Sequence, residues 1–220
     1  MERCVIVGGA GISNYEKIRK QLRPGDFVIF CDSGLRHRDA LGVRPDLIVG
    51  DFDSYVKPDE EGIEIISLPR EKDDTDSVYA VKEALRRGYE EFLLLGMVGE
   101  RLDHTLGNVS ILLMLDSLGK QGLLVDDWSE MEIVSRRPVS VEGSCAFFSL
   151  LALDGTAGGV YIENAKYPLE NGSITCDYQY GISNEVLPGK TARVSVKEGR
   201  LLLVRVCDKT ENLSNFVSFS

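Results

Sequence analysis

Five apolar runs recur through the first half of the chain: "CVIVGG", "DFVIFCD", "PDLIVGD", "IEIISL" and "EFLLLG". Within each run apolar residues follow one another instead of alternating with polar ones, so a strand built from it must be buried on both faces. Between the runs lie segments of helical character. Ser13 to Glu16 has the S-x-x-E form of a capping box, opening a helix through about Leu22. A short helix is expected near Ser33 to Leu41. From Thr75 to Arg87, Val78, Val81, Ala84 and Leu85 share one helical face and Gly88 supplies the stop. "DHTLGNVSILLMLDSLG" is a further helix, closed by Gly119. Doubly buried strands alternating with helices require an open parallel sheet flanked by helices, an α/β fold.

Beyond about Val125 the helical period disappears. "MEIVS", "CAFFSLLAL", "GGVYIE", "GSITCDY", "ARVSVK" and "RLLLVRV" are short β-rich runs separated by Gly, Asn and Pro turns, the pattern of a small β-sandwich or barrel. The boundary is expected near Asp126 to Glu130, giving an α/β domain over residues 1–126 and a smaller all-β sandwich domain over 127–220. The formal net charge of −10 argues against nucleic acid or an anionic membrane as partner and suits cationic ligands and divalent metals. No stretch is long and apolar enough for a membrane span, and no leader pattern opens the chain. Five scattered cysteines without a C-x-x-C pair predict buried reduced thiols in a cytoplasmic protein.

The polar residues cluster by position. The first run ends in Gly8, Gly9 and Gly11, the second in Asp32, and the third in Asp51 and Asp53. The fourth leads to "KDDTD", Lys72 to Asp76, and the fifth to "GMVGERLDH", Gly96 to His104. In an open parallel sheet these loops share the carboxyl edge, where such folds bind ligands. Carboxylates gathered there repel unless one is protonated or a cation joins them, and a hard divalent ion with oxygen ligands is the natural solution. Arg101 offers a fork for phosphate oxygens. His104 and Asn108 share a helical face beside Asp103.

Local roles stay open for several of these residues. Asp51 and Asp53 can be turn and cap residues. Asp76 sits in a first helical turn, where the macrodipole alone favours a carboxylate. Asp103 can cap its helix, and His104 can be structural. Three other readings fit poorly. The glycines after the first run imitate a dinucleotide fingerprint, but Asn14 holds the third glycine position. The D-x-D loop of haloacid-dehalogenase-like phosphatases wants Thr or Val where Tyr55 stands. No GxxxxGK[ST] phosphate loop occurs.

Taken together, "CDSGL", "PDLIVGDFDS", "KDDTD" and "GMVGERLDHTLGN", followed by "AGGVYIENAKYPL" and "GISNE", resemble the bacterial thiamine pyrophosphokinases in order and rough spacing. The chain departs from that pattern at Asp32-Ser33-Gly34, where the family has D-G-G, and at Gly99-Glu100. The resemblance implies a catalytic ATP- and Mg²⁺-binding α/β domain, then a β-sandwich domain for thiamine binding and dimerisation. The implied reaction transfers pyrophosphate from ATP to the thiamine hydroxyl, releasing AMP. It places Asp51, Asp53 and Asp73 in the acidic Mg²⁺ cluster. Asp32, Arg101, Asp103 and His104 line the ATP phosphates, and Asp76, Ser183 and Asn184 lie near thiamine. Asp51, Asp53, Asp73, Asp76 and Arg101 are then the catalytic set, with Asp73 or Asp76 as proton acceptor. A phosphotransferase acting on another small alcohol, and a sensor of nucleotide or thiamine diphosphate without turnover, are the alternatives.

Overall fold

The computed structural model of this chain describes residues 3–52, 62–71 and 73–206, so Lys72, Asp53 and Cys207 lie outside the described residues. The chain divides into two compact units, Met1–Asp127 and Trp128–Ser220.

In the first unit the elements are β1 (Arg3–Val7), α1 (Tyr15–Arg19) and β2 (Phe27–Cys31), then a 3₁₀ helix (Asp32–His37) running into α2 (Arg38–Leu41). They continue with β3 (Leu47–Gly50), β4 (Glu64–Ser67), α3 (Asp76–Arg86), β5 (Glu91–Leu95), α4 (Leu102–Ser117) and β6 (Gln121–Val125). The strands form a parallel sheet in the order β4-β3-β2-β1-β5-β6. Strand β1 is central, with Cys4 opposite Phe27 on one side and Phe92 on the other. Val5 and Val7 join Ile18, Phe30, Ile48 and Leu93 in one core cluster, while Cys4 and Ile6, on the opposite face, are equally buried. That double burial, worth roughly 1.5–3 kcal/mol per large apolar side chain, is what the unbroken apolar runs encode. The edge strand β4 departs from it: Glu64 and Ser67 are exposed.

Several local expectations are corrected. Helix α1 is one turn shorter than its apolar pattern implied, and its cap is Asn14, whose side chain accepts from the Lys17 amide. Ser13 does not form the capping box: its amide and hydroxyl both donate to Asp127, and Glu16 pairs with Lys20. The segment after β2 starts as a 3₁₀ turn, with Asp32 at its head in a left-handed φ of 34°. Strand β6 has no counterpart among the apolar runs read above. Helix α3 matches its pattern, with Thr75 as N-cap accepting from the Val78 amide and Gly88 at φ 89° after its end.

The second unit contains β7 (Ser129–Val134), β8 (Val139–Val141), β9 (Phe147–Leu151), β10 (Thr156–Glu163), β11 (Leu169–Thr175), β12 (Ala192–Ser195) and β13 (Leu201–Val206). Strands β7, β13 and β9 pair antiparallel in that order, and β11-β10-β12-β8 form a second antiparallel sheet. Phe148, Leu150 and Leu203 from the first meet Val160, Ile174 and Val194 from the second in one core. Short alternating strands sharing one apolar interior make this unit a sandwich. Among the described residues no helix is long and apolar enough to cross a membrane.

The approach of the 3₁₀ turn to β1 is the tightest constraint near the carboxyl edge. A Cβ on Gly34 would stand 2.2 Å from the Val7 carbonyl oxygen and 3.0 Å from its carbon, both backbone atoms that cannot yield. Gly34→Ala is therefore expected to cost about 1–3 kcal/mol, seen as a lowered midpoint in urea. Gly107→Ala, in α4 with nothing within 4 Å of its added Cβ, is the control. It should be stabilising by up to about 1 kcal/mol, the helix preference of Ala over Gly.

Candidate functional site

Strands β1 and β5 are neighbours, and the chain runs away from them in opposite directions across the sheet, which makes this the switch point of the sheet, on whose carboxyl edge such folds bind ligands. Those loops stay zipped past the strand ends: the Gly8 amide donates to Leu95 O and the Ala10 amide to Gly96 O, both at 2.8 Å. Gly96 holds φ 59°, and a Cβ there would lie 2.5 Å from the Gly8 oxygen. Gly50, ending β3, lets the backbone of Asp32 come close, because a Cβ at Gly50 would sit 2.9 Å from the Asp32 Cβ.

This geometry brings three carboxylates together. One oxygen each from Asp32, Asp51 and Asp76 lies within 4.8 Å of the others. Asp32 follows β2 and is buried, Asp51 follows β3, and Asp76 opens α3. Two non-glycine residues here have left-handed backbones, Asp32 at φ 34° and Phe52 at φ 56°. Each such residue stores on the order of 1–3 kcal/mol, strain that concentrates at functional sites. The group differs from the one the resemblance implied. Asp32 and Asp76 stand with Asp51, Asp73 is exposed and outside the group, and Asp53 lies outside the described residues.

The fifth loop carries the cationic counterpart. Arg101 donates from Nε and Nη2 to the two oxygens of Asp103, at 3.0 and 2.6 Å. The guanidinium holds the Asp103 carboxyl well below the usual carboxylate range. Both side chains are largely exposed, at 70% and 65%. His104, in the first turn of α4, is also exposed, while Asn108 donates to Met97 O and ties α4 to the end of β5.

In the second unit a cavity of about 120 Å³ is lined by residues that include Ile162, Tyr167, Leu169, Ile174, Ile182 and Asn184. Ser183 has φ 58°, and its amide donates to Ser149 Oγ. Asn184 is buried and its amide is spent on backbone: Oδ1 accepts from the Tyr167 and Glu185 amides, and Nδ2 donates to Tyr167 O at 2.7 Å. Asn184 thus shapes the cavity rim. Among the aromatics, Trp128, Tyr167 and Tyr178 are exposed, whereas Tyr161 is half-buried beside Asn171 and Lys197.

Sequence reasoning missed His37, Tyr15 and Asp127. His37 is buried at the end of the 3₁₀ turn, hydrogen-bonded to Tyr15 Oη and Ala10 O. Asp127 binds the amides of Ser13 and Asn14. A lone histidine five residues after an aspartate, and a carboxylate more than a hundred residues from its partners, leave no periodic signal.

Comparison with known proteins places both units. The profile of the thiamin pyrophosphokinase catalytic domain matches residues 18–121, and that of the thiamin pyrophosphokinase vitamin B1 binding domain matches residues 134–201. The chain is 26% identical over 174 residues to thiamine pyrophosphokinase of Bacillus subtilis, covering 76% of this chain and 81% of that protein. The crystal structure of thiamine pyrophosphokinase from Bacillus subtilis superposes with a TM-score of 0.81 at 23% identity, over 94% of this chain and 100% of that one. That of the thiamin pyrophosphokinase from Geobacillus thermodenitrificans gives 0.76 at 26% identity, over 94% and 99%. With the two domains of one family matched in order along its length, the chain belongs to the thiamine pyrophosphokinase family.

Proposed function

We infer that this protein is a thiamine diphosphokinase, transferring pyrophosphate from ATP to the hydroxyl of thiamine. In this reaction the hydroxyl oxygen bonds to the β-phosphorus of ATP. The bond from that phosphorus to the α–β bridging oxygen breaks, AMP leaves, and the hydroxyl proton passes to a base. The observation that carries the reading is the convergence of Asp32, Asp51 and Asp76 at the carboxyl edge of a catalytic-domain match. Phosphoryl-type transfer asks a protein mainly for positioning and charge compensation, and this edge is built for both.

The donor set fits a magnesium ion. Three carboxylate oxygens within 4.8 Å make a hard, anionic site, and Mg²⁺ takes one or two such carboxylates together with phosphate oxygens. When bound, the ion would offset charge on the triphosphate. The protein's own groups do the rest. In this proposal Asp76, at the α3 N-terminus, accepts the hydroxyl proton, a role typically worth about 10²–10⁴-fold. Arg101 exchanges Asp103 for phosphate oxygens as charge moves toward AMP. His104, beside them in the first turn of α4, joins the nucleotide side. Asp53 and Asp73 remain part of the proposed acidic edge.

The second unit receives thiamine. Its cavity is close in size to the ~150 Å³ cavity known to accept benzene, so it suits one ring of the acceptor. Ser183 stands between the lining residues Ile182 and Asn184, and Asn184 holds the rim. Working as a homodimer in the cytoplasm completes the reading; the latter is supported by the buried, reduced thiols of Cys4 and Cys31.

Three outcomes test this reading. With ATP, Mg²⁺ and thiamine the protein should form AMP and thiamine diphosphate in equal amounts, and Asp76→Asn should lower kcat by about 100-fold; ADP as the sole nucleotide product would sink the proposal. Asp51→Asn removes two like-charge pairs, so in EDTA it should raise Tm, by about 2–4 °C per kcal/mol relieved. The same variant should lose the Tm rise that Mg²⁺ gives the unsubstituted protein. Asn184→Asp keeps the acceptor contacts but not the donation to Tyr167, and should raise KM for thiamine about tenfold while leaving KM for ATP unchanged.

A further inference from the structure

His37 is 2% exposed, and its ring joins the 3₁₀ turn to the loop after β1 and to α1. Nε2 lies 2.9 Å from the Ala10 carbonyl oxygen and Nδ1 lies 2.7 Å from Tyr15 Oη. A carbonyl can only accept, so Nε2 carries the hydrogen, and Nδ1 accepts from the tyrosine hydroxyl. Burial holds the imidazole below its ordinary pKa, consistent with that neutral tautomer. The Tyr15 and His37 rings also touch, their centroids 5.9 Å apart.

Ala10 is the point where three loops meet. Its carbonyl is held by His37, from the turn that begins with Asp32, and its amide donates to Gly96 O, in the loop after β5. A Cβ on Gly99 would fall 2.9 Å from the Ala10 Cβ, so the stretch leading to Arg101 packs against the same residue. Three residues on, Asp127 clamps the amides of Ser13 and Asn14 at 2.8 and 2.9 Å. The loop after β1 is therefore pinned at its far end by Asp127 and in its middle by His37.

We propose that His37 and Tyr15 are positioning residues for the reaction, locking the loop after β1 to the Asp32 turn so that the carboxyl edge meets the triphosphate of ATP in one fixed geometry. The proposal rests on the reading of the site given above. Neither residue touches the reacting atoms: His37 acts through Ala10 and through the turn it shares with Asp32. Their action falls on the nucleotide side, because the hydrogen bonds of the His37 ring go to Ala10 and Tyr15, both in the first unit.

The test compares His37→Gln, His37→Asn and Tyr15→Phe in the full chain. Gln places its side-chain N–H near the position of Nε2 and still reaches Ala10, whereas Asn is too short. His37→Asn is expected to raise KM for ATP, and Kd for a non-hydrolysable ATP analogue with Mg²⁺, about tenfold. His37→Gln should stay within about threefold of the unsubstituted chain, Tyr15→Phe should fall between the two, and none should move KM for thiamine. Hydrogen exchange gives a readout independent of turnover: amides of residues 9–14 should exchange about tenfold faster in His37→Asn and at the unsubstituted rate in His37→Gln. If the unsubstituted chain makes no AMP, the proposed reaction fails, and the exchange rates still decide the role of His37. Unchanged exchange in residues 9–14, or a loss of activity that follows Tm alone with both KM values unaltered, would overturn the proposal. Should His37→Asn fail to fold, Tyr15→Phe with unchanged analogue affinity and loop exchange would overturn it equally.

Discussion

Like-charge repulsion is the constraint around which this molecule is arranged. Two carboxylates about 4 Å apart repel by roughly 4 kcal/mol at the effective dielectric of a protein surface. Here three carboxylate oxygens, from Asp32, Asp51 and Asp76, are within 4.8 Å. No single turn of chain would hold them there. They are delivered by three separate segments: Asp32 and Asp51 follow the buried strands β2 and β3, and Asp76 opens α3. The backbone at Asp32 adds left-handed strain, while the N-terminus of α3 gives some back by favouring negative charge at Asp76. A stable parallel sheet is thus a precondition of the site.

Close backbone approach is the second device, and glycine supplies it. Gly34 against β1, Gly50 against Asp32 and Gly96 against Gly8 bring loops that follow β1, β2, β3 and β5 to distances no Cβ would allow. Side chains then finish what glycine begins. His37 and Asp127 hold the glycine-rich stretch after β1, which would otherwise carry the conformational freedom its composition implies. The loops of this edge are consequently tied to one another, and Arg101 and His104 stand exposed beside them.

The fold was legible because burial on both faces writes itself into sequence as unbroken apolar runs; β1, β2, β3 and β5 follow that rule. Strand β6 escaped because "QGLLV" is short and follows a helix of similar apolar content, and β4 is an edge strand half open to solvent. The acidic edge was legible as a set of strand ends, since topology alone places those loops together. Which carboxylates converge was not. Asp76 joins Asp32 and Asp51 because α3 points its first turn at them, a matter of helix placement that spacing does not encode. The tie between His37 and Ala10 was hidden for the same reason, and so was the burial of the Asn184 amide on Tyr167. In each case a polar side chain satisfies backbone far away in sequence.

An acidic protein that binds a polyanion must solve a problem of approach. The net charge is −10, and the proposed site itself gathers three carboxylates. Basic residues could have answered this directly, yet Arg101 is already paired with Asp103 in an exposed, bidentate bridge. Such a bridge is worth little in water, typically no more than about 1 kcal/mol. It keeps the fork extended and oriented, and a phosphate can displace Asp103 at small cost because the released carboxylate returns to solvent. Under the proposed function, attraction at longer range would come from a cation shared by the carboxylates and the nucleotide. Selectivity for a metal-complexed nucleotide over the free anion would, under the proposed function, arise from the repulsion itself: the acidic cluster would reject the bare polyphosphate and admit it only when its charge has been reduced.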